Sequence, residues 1–305
     1  MINKTLSEIV HCTNCGAIPL TSAEGKRQLN CKKCGANYEV KNGVLVMLPN
    51  HAAKEMADSE IHSKQSSVFN YIDHYQKDGI EHDYFQERDP GTEHIERRVR
   101  EQIFSQFTNT TGKVLDVGCG RAWVAQHLCP KNYEVVSMDI SLKNTTEALK
   151  LYPFKNHSAI VADVFSLPFN ENSFDYIIAS EIIEHVVDPK IFVENLMRAL
   201  KPGGTLIVTT PYKEKIRYSL CVHCNKLTPL HAHIHSFDEK ILSTMYAGED
   251  LQSCNYITFA NKIPIHLRMH LFFRFFGFRC WKIADRFFNL IHNSPMRILV
   301  KWQKK

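Results

Sequence analysis

The side chains best suited to chemistry fall into a few short groups. Six cysteines form three C-x2-C pairs, Cys12/Cys15, Cys31/Cys34 and Cys221/Cys224. An apolar run, "VLDV", carries Asp116 and breaks into Gly118-Cys119-Gly120. Further along stand Asp139, Asp163, the pair Ser180-Glu181, the pair Glu184-His185, and three histidines at alternate positions, His231, His233 and His235. Each group suggests a chemistry. Paired thiolates hold a metal ion. A glycine-rich turn after a strand lets a dinucleotide, a phosphate or an adenosyl group come close to the backbone. A carboxylate beside an imidazole can move a proton or orient a reactant.

The elements that must position these groups can be read from the surrounding pattern. Residues 12–34 have the spacing C-x2-C, fifteen residues, C-x2-C, which is a zinc-site pattern. Zinc takes four thiolates tetrahedrally, and Gly16 and Gly35 let the chain turn under the sulfurs. A segment this short cannot bury a self-sufficient core, so the metal is expected to supply the folding energy. With Cys12, Cys15, Cys31 and Cys34 all ligating, no coordination position is left open, and a stabilising or docking role is expected. The continuation "YEVKNGVLVML" resembles the end of a small zinc-ribbon family that occurs fused to methyltransferases or as a separate activating subunit, and the resemblance covers roughly residues 8–48.

A polar stretch follows, and then "TEHIERRVREQIFSQF". Its Ile95, Val99, Ile103 and Phe107 form a helical apolar stripe, with Thr92/Glu93 as the expected start. From Gly112 strand and helix alternate. "KVLDV", "YEVVSMD", "SAIVAD", "FDYIIAS" and "GTLIVTT" read as strands buried on both faces, hence as a parallel sheet covered by helices. Ser141 is expected to cap one helix. Asp188 and Pro189 open another, expected to stop at Gly203/Gly204. "LQSCNYITFAN" and "MRILVKWQKK" read as the last two strands. Ligands of such sheets bind at the carboxyl ends of the strands. Asp116, Gly118 and Gly120 follow the first strand, Asp139 ends the second, Asp163 follows the third and Ser180-Glu181 ends the fourth.

"VLDVGCG", "SMDIS", "ADVFSLPF", "FDYIIASEIIEHV" and "LKPGGTLIV", in that order over roughly residues 92–212, resemble the successive motifs of class I S-adenosylmethionine-dependent methyltransferases. They are most similar to the large type that includes quinone-biosynthesis and small-molecule methylating enzymes. The resemblance implies an α/β, Rossmann-like seven-stranded sheet, strand order 3-2-1-4-5-7-6, with a small N-terminal zinc ribbon. It also implies S-adenosyl-L-methionine as cofactor, bound by Asp116, Gly118, Cys119, Gly120, Asp139, Ile140, Leu142, Asp163, Val164, Ser180 and Glu181. Asp139 would accept both ribose hydroxyls, Asp163 with the Val164 amide would read the adenine edge, and Leu142 would pack on the ring. The ligand is a cation without phosphate, so carboxylates suit it. A nicotinamide-binding domain shares the first turn and the acid after strand two. It does not predict the acid after strand three or the "EIIEHV" and "LKPGG" segments. One departure is Ala122, where the family often has a third glycine; a slightly wider turn is expected there.

Methyl transfer is an in-line displacement, and alignment supplies much of the acceleration. Glu184 and His185 are the candidate catalytic groups, as base or acceptor-orienting residues, against a purely structural reading of the same turn. In "CVHCNKLTPLHAHIHSF" the alternate histidines would face one side of an extended chain. Cys221, Cys224, His231 and His233, with His235 as alternate, are the expected ligands of a second Zn2+. The other reading is a metal-free loop lining the acceptor pocket. Ser236 with Glu239 is expected to cap the next helix.

The 305 residues are 44% hydrophobic and 23% charged, ordinary for a globular protein, with a net charge of +5. Residues 261–305 hold ten Lys/Arg against one acid, Asp285, so the basic character is local and points to a local anionic partner. In residues 262–294, Arg279, Lys282, Arg286 and Asn289 would share one helix face and Phe276, Cys280, Ile283, Phe287 and Ile291 the other, with Gly277 dividing two helices. The segment is read either as a lid packed on the domain or as a peripheral membrane element. No secretory-type opening run and no spanning apolar stretch occur, so a cytoplasmic location, with peripheral contact at the membrane, is expected.

The expected organisation is residues 1–48 as zinc ribbon, 49–91 as linker and helical segment, and 92–305 as methyltransferase domain with a Cys/His insertion at 218–236 and a basic amphipathic insertion at 262–294. The expected activity is methyl transfer to oxygen or carbon of a small-molecule or lipid-linked acceptor. The alternatives are an RNA base methyltransferase that docks nucleic acid through the ribbon, and a non-catalytic binding protein on the same fold.

Overall fold

Asn42 and Gly43 both take left-handed φ, 52° and 84°, and close a two-residue turn between β3 (Asn37–Lys41) and β4 (Val44–Val46). This hairpin sets the first half of the molecule. A computed structural model describes residues 4–22, 28–48, 70–222 and 225–305. The chain forms two units. The first holds Met1–Gln86, Thr110–Ile177 and Asn195–Pro202; the second holds Glu87–Asn109, Ile178–Glu194 and Gly203–Lys305.

In the first unit, α1 (Lys4–Ile9), β1 (Thr21–Ser22) and β2 (Gln28–Asn30) precede the hairpin, and β1, β2, β3 and β4 pair antiparallel in sequence. β4 then pairs parallel with β7 (His157–Val161), Leu45 opposite Ile160 and Val46 opposite Val161. Parallel pairing continues through β6 (Tyr133–Asp139) to β5 (Gly112–Val117). The cysteine-bearing ribbon is therefore an extension of the parallel sheet. Val44, Leu45 and Met47 are fully buried, and Val44 packs with Ala159, Val161, Leu142 and Leu149. His11 and Asn170 donate to Pro168 and Ile9 carbonyls at 2.8 Å each, tying the start of the ribbon to the loop after β7.

α2 (Tyr71–Glu81) lies against α5 (Leu142–Leu151), which starts at a Ser141 cap as expected; α4 is Trp123–Leu128. A Cβ on Gly79 would stand 2.2 Å from Ser141 Oγ and 2.6 Å from its Cβ. Gly79→Ala is therefore expected to push α2 off this cap and to cost about 1–3 kcal/mol, read by urea denaturation.

The second unit opens with α3 (Pro90–Phe104). Its cap is Asp89, whose Oδ1 accepts from Gly91 N and Thr92 N, with Pro90 in the first turn. The expected start at Thr92/Glu93 was two residues late because Asp-Pro is the stronger signal. β13 (Pro295–Lys304) runs antiparallel to both β9 (Leu200–Pro211) and β12 (Leu251–Asn261). β8 is Phe174–Ser180, and α6 is Pro189–Ala199, capped by Asp188. α6 stops four residues before the expected Gly203, because Leu200–Gly204 already belongs to β9. With β5 to β9, β12 and β13, the fold is α/β and Rossmann-like with a mixed sheet.

β10 (Tyr218–Leu220) and β11 (Leu227–Pro229) form a separate hairpin. α7 (Glu239–Ser243) is capped by Asp238, which accepts from Lys240 N and Ile241 N, and not by the expected Ser236. α8 (Lys262–His266), α9 (His270–Phe273) and α10 (Phe278–Ile291) fill the basic segment, and Gly277 separates the last two as expected.

Arg98, fully buried, donates to the Phe273 and Phe276 carbonyls at 2.6 and 3.0 Å and lies over the Trp281 ring. Asp285 accepts from Asn261 N at 2.7 Å and Ala260 N at 3.1 Å. α10 is thus anchored through Trp281, Asp285 and Asn289. Its apolar face is turned out: Ile283 is 69% exposed, Phe287 58% and Leu290 86%. A lid burying that face on the domain is not what the chain builds. Among the described residues, no helix is long and apolar enough to cross a membrane.

Candidate active site

The turn after β5 has three left-handed residues, Gly118 (φ 67°), Gly120 (φ 42°) and Ala122 (φ 52°). The first two match the need for a close backbone approach. Ala122 adopts the conformation that glycine favours, at a cost of roughly 1–2 kcal/mol. The turn is nonetheless tight, not wide, with Ala122 N donating to the Cys119 carbonyl at 2.7 Å. Cys119 is buried and ties the turn to β6 through its own N–H to the Met138 carbonyl.

Asp116 and Asp139 define the electrostatics of the first unit. Asp139 is oriented by Ser141 N on Oδ1 (2.9 Å) and by Gly120 N and Asn144 Nδ2 on Oδ2 (3.2 and 3.4 Å). Asp116 is 2% exposed, and its Oδ2 has no hydrogen-bond partner. Desolvation, and then the nearby Asp139 charge, push its carboxyl up to about 8. An orphaned buried carboxylate oxygen beside a second acid calls for a cationic ligand. S-adenosylmethionine carries an ammonium and a sulfonium and meets that call; the residues present fit it.

The sign of the pH effect follows. From about pH 4 to pH 8 the folded chain holds a proton on Asp116 that the unfolded chain releases, so stability falls as pH rises through that window. Asp116→Asn is expected to gain stability at pH 8 and little at pH 5, by thermal unfolding at the two values.

Asp163, fully buried, is engaged on both oxygens: Tyr71 Oη donates to Oδ2 at 2.6 Å and Phe165 N to Oδ1 at 3.2 Å. Desolvation raises its carboxyl while the Tyr71 bond lowers it, and the Tyr71 phenol is raised by burial and by Asp163. Val164 lies buried beside it, its carbonyl accepting from Asn195. Ile140 and Leu142 are half-buried, and Leu142 packs on the Val44 cluster. Tyr84 donates to Asp78 at 2.5 Å and stands over Gly120, 3.7 Å from where a Cβ would be. Tyr71 and Tyr84 lie in the segment read as linker and helix. Three tyrosines, at 71, 75 and 84, in an otherwise polar stretch were the available signal.

In the second unit, Ser180 Oγ hydrogen-bonds Thr209 Oγ1 at 2.9 Å. Glu181, in left-handed backbone (φ 57°), ion-pairs with Arg297 at 2.8 Å. Glu184 is 1% exposed and accepts from Thr210 Oγ1 at 2.9 Å; burial, and then Glu181, drive its carboxyl well above the carboxylate range. His185 and His233 rings lie edge to face at 4.7 Å. The extended-chain geometry expected for the three histidines does not form. His231 and Ala232 are both left-handed (φ 60° and 55°), which turns the chain and leaves His231 exposed.

Cys12, Cys15, Cys31 and Cys34 converge, their sulfurs within 4.8 Å of one another. Cys12–Cys34 and Cys15–Cys31 are 3.5 and 3.6 Å apart, near the roughly 3.8 Å edge of a tetrahedron with 2.3 Å zinc–sulfur bonds. Tyr38 Oη bridges Cys12 Sγ and Thr13 N. Both knuckles close alike: the Gly16 and Gly35 amides donate to the Cys12 and Cys31 carbonyls, and the cysteine amides to Ala17 and Ala36. The third pair repeats this. Asn225 N donates to Cys221 O, and Cys221 N to Lys226 O, with Asn225 (φ 54°) in the glycine position. Cys224 lies outside the described residues.

Residues 115–208 match the family model described as a methyltransferase domain. The ubiquinone biosynthesis O-methyltransferase of Rickettsia prowazekii is 32% identical over 124 residues, 39% of this chain and 48% of that protein. That of Bradyrhizobium diazoefficiens is 32% identical over 140 residues, 44% of this chain and 52% of that protein. The chain spans about half the length of the curated relatives it matches. A solved complex of a methyltransferase activator with a methyltransferase, from Haloferax volcanii, aligns with a TM-score of 0.51 at 18% identity, over 78% of this chain and 99% of that one.

Proposed function

We propose that this chain, whose residues 115–208 form a methyltransferase domain, transfers the methyl group of S-adenosylmethionine to a hydroxyl oxygen of a small, lipid-linked acceptor. The observation that carries the reading is the buried, unpartnered Asp116 oxygen beside Asp139 at the left-handed Gly118/Gly120 turn. In the proposed reaction the acceptor oxygen forms a bond to the methyl carbon and the carbon–sulfur bond breaks, its electron pair returning to sulfur. The hydroxyl proton leaves to a base, for which Glu184 and His185 are the candidates. Asp139 would hold the ribose hydroxyls, and Asp163, with Tyr71 fixing one oxygen, would face the adenine edge. The relatives' printed role supports oxygen as the acceptor atom. The four-thiolate ribbon is proposed to hold one structural Zn2+, and the Cys221 knuckle, with Cys224, half of a second site.

The test is transfer of tritiated methyl from S-adenosylmethionine into a bacterial lipid and quinone extract, run beside total RNA. Label in the organic phase supports the reading. Label in RNA alone, or S-adenosylhomocysteine binding with no transfer to either, overturns it.

Peripheral membrane contact is the second part of the proposal, favoured by the outward apolar face. Leu267, Leu271, Phe272 and Phe275 are exposed like Ile283, Phe287 and Leu290, and the acid in this segment, Asp285, is buried. Apolar side chains framed by Arg and Lys suit an anionic lipid interface. Co-sedimentation with phosphatidylglycerol vesicles is expected, weakening at high salt and on combined Arg279→Ser, Lys282→Ser and Arg286→Ser substitution. Equal binding to neutral vesicles would contradict it.

A further inference from the structure

Asp163 stands just beyond the end of β7, fully buried, and both of its carboxylate oxygens receive hydrogen bonds. Tyr71 Oη donates to Oδ2 at 2.6 Å and Phe165 N to Oδ1 at 3.2 Å. Tyr71 is itself buried, at the first position of α2, and its ring meets Phe165 edge to face at 5.8 Å. The helix that carries it is seated at both ends. Asn70 Oδ1 accepts from Asp73 N at 3.1 Å, Lys143 Nζ donates to the Ile80 carbonyl at 2.8 Å, and Gly79 lies against Ser141. Among the described residues, the groups that act on the Asp163 carboxyl are the Tyr71 phenol and the Phe165 and Val164 amides, with no charged side chain. Burial raises this carboxyl, and those donors, Tyr71 first, oppose the rise. Burial and the Asp163 charge raise the phenol, so Tyr71 keeps its proton and stays a donor.

An ionised carboxylate only accepts hydrogen bonds, whereas a protonated one also donates. Adenine presents an amino donor at its 6-position; a 6-oxo purine presents an acceptor at the same place. A purely accepting carboxylate pairs with the first and repels the second. We propose that Tyr71 is a specificity-determining residue, which fixes Asp163 as an acceptor so that the cofactor site takes a 6-amino purine and rejects a 6-oxo purine. The proposal rests on the methyl-transfer reading, in which Asp163 faces the adenine edge. Tyr71 acts through Asp163 and is a positioning residue. A site with buried groups committed to one hydrogen-bond pattern rejects the ligand that leaves them unpaired.

The experiment is titration calorimetry of full-length protein with S-adenosylhomocysteine and S-inosylhomocysteine, at about pH 6 and about pH 8. Wild type is expected to prefer the adenosyl compound by ~100-fold or more at both values. Tyr71→Phe keeps the ring against Phe165 and removes the O–H. Without that donor the Asp163 carboxyl rises and takes up a proton at the lower pH. The preference should then fall by ~10-fold or more at about pH 6 and recover toward wild type at about pH 8. Asp163→Asn, with no proton to lose, should show a reduced preference that is the same at both values. A Tyr71 that merely braces α2 would weaken both ligands together and leave their ratio fixed, which overturns the proposal, as does a wild type without preference. Infrared difference spectra of wild type against Asp163→Asn need no Tyr71 variant. An ionised carboxylate band at about pH 7 is expected, and a protonated one overturns the proposal. Where S-adenosylhomocysteine still binds, either of these failures leaves the methyl-transfer reading standing. No S-adenosylhomocysteine binding by wild type removes that reading and the selectivity with it.

Discussion

Asp139→Ala is expected to weaken S-adenosylhomocysteine binding by at least about 100-fold, measured by titration calorimetry, with a small change in unfolding temperature. The carboxylate sits at the end of β6, and both its oxygens are pre-oriented by the Ser141 and Gly120 amides and the Asn144 side chain. Such a group forms bonds to ligand hydroxyls without reorganising. A hydrogen bond to a charged group contributes about 1.5–3 kcal/mol, so losing two accounts for a change of this size. Asp139→Asn, keeping shape and one acceptor, should fall between. An affinity unchanged by either substitution would refute the donor-site assignment. Asp116→Asn complements this, since removing a buried negative charge should cost ligand affinity while stabilising the free protein at pH 8.

Removal of the zinc proposed for the ribbon should have the second large effect. Chelation, or Cys31→Ser, is expected to lower the unfolding temperature by roughly 10 °C or more and to weaken S-adenosylhomocysteine binding with it. The first part follows from burial: Val44, Leu45 and Met47 each contribute about 1.5–3 kcal/mol where they pack, and they lie directly beyond the four-cysteine cluster that closes the ribbon. The second part follows from connectivity. Val44 packs with Leu142, three residues beyond Asp139, and β4 pairs with β7, which leads into Asp163. Elemental analysis of the purified protein checks the loss of one zinc per chain. A ribbon that melts without touching ligand affinity would show the two to be independent.

Much of the frame was legible because it is written in local signals. β6 and β8 coincide with their apolar runs, since a buried strand tolerates few polar residues. The ribbon cysteines were legible because zinc chemistry leaves few alternatives to that spacing. Helix ends were less so. Asp89, Asp238 and the early stop at Ala199 each beat a plausible neighbour, because several residues in a row can cap or end a helix.

What remained hidden depends on contacts far apart in the chain. No local pattern says that β4 joins β7, that Tyr71 bonds Asp163, or that Arg98 seals the turn before α10. The three histidines show the limit most clearly. Their alternation is a property of the one-dimensional chain. Two left-handed residues, His231 and Ala232, undo it and bring His233 to Glu184 and His185. The chemistry available to this protein was set by residue types and spacing, because strand ends and cysteine knuckles are local. Which side chains share a site was decided by the folded chain, because buried charges find their partners only when distant segments close around them.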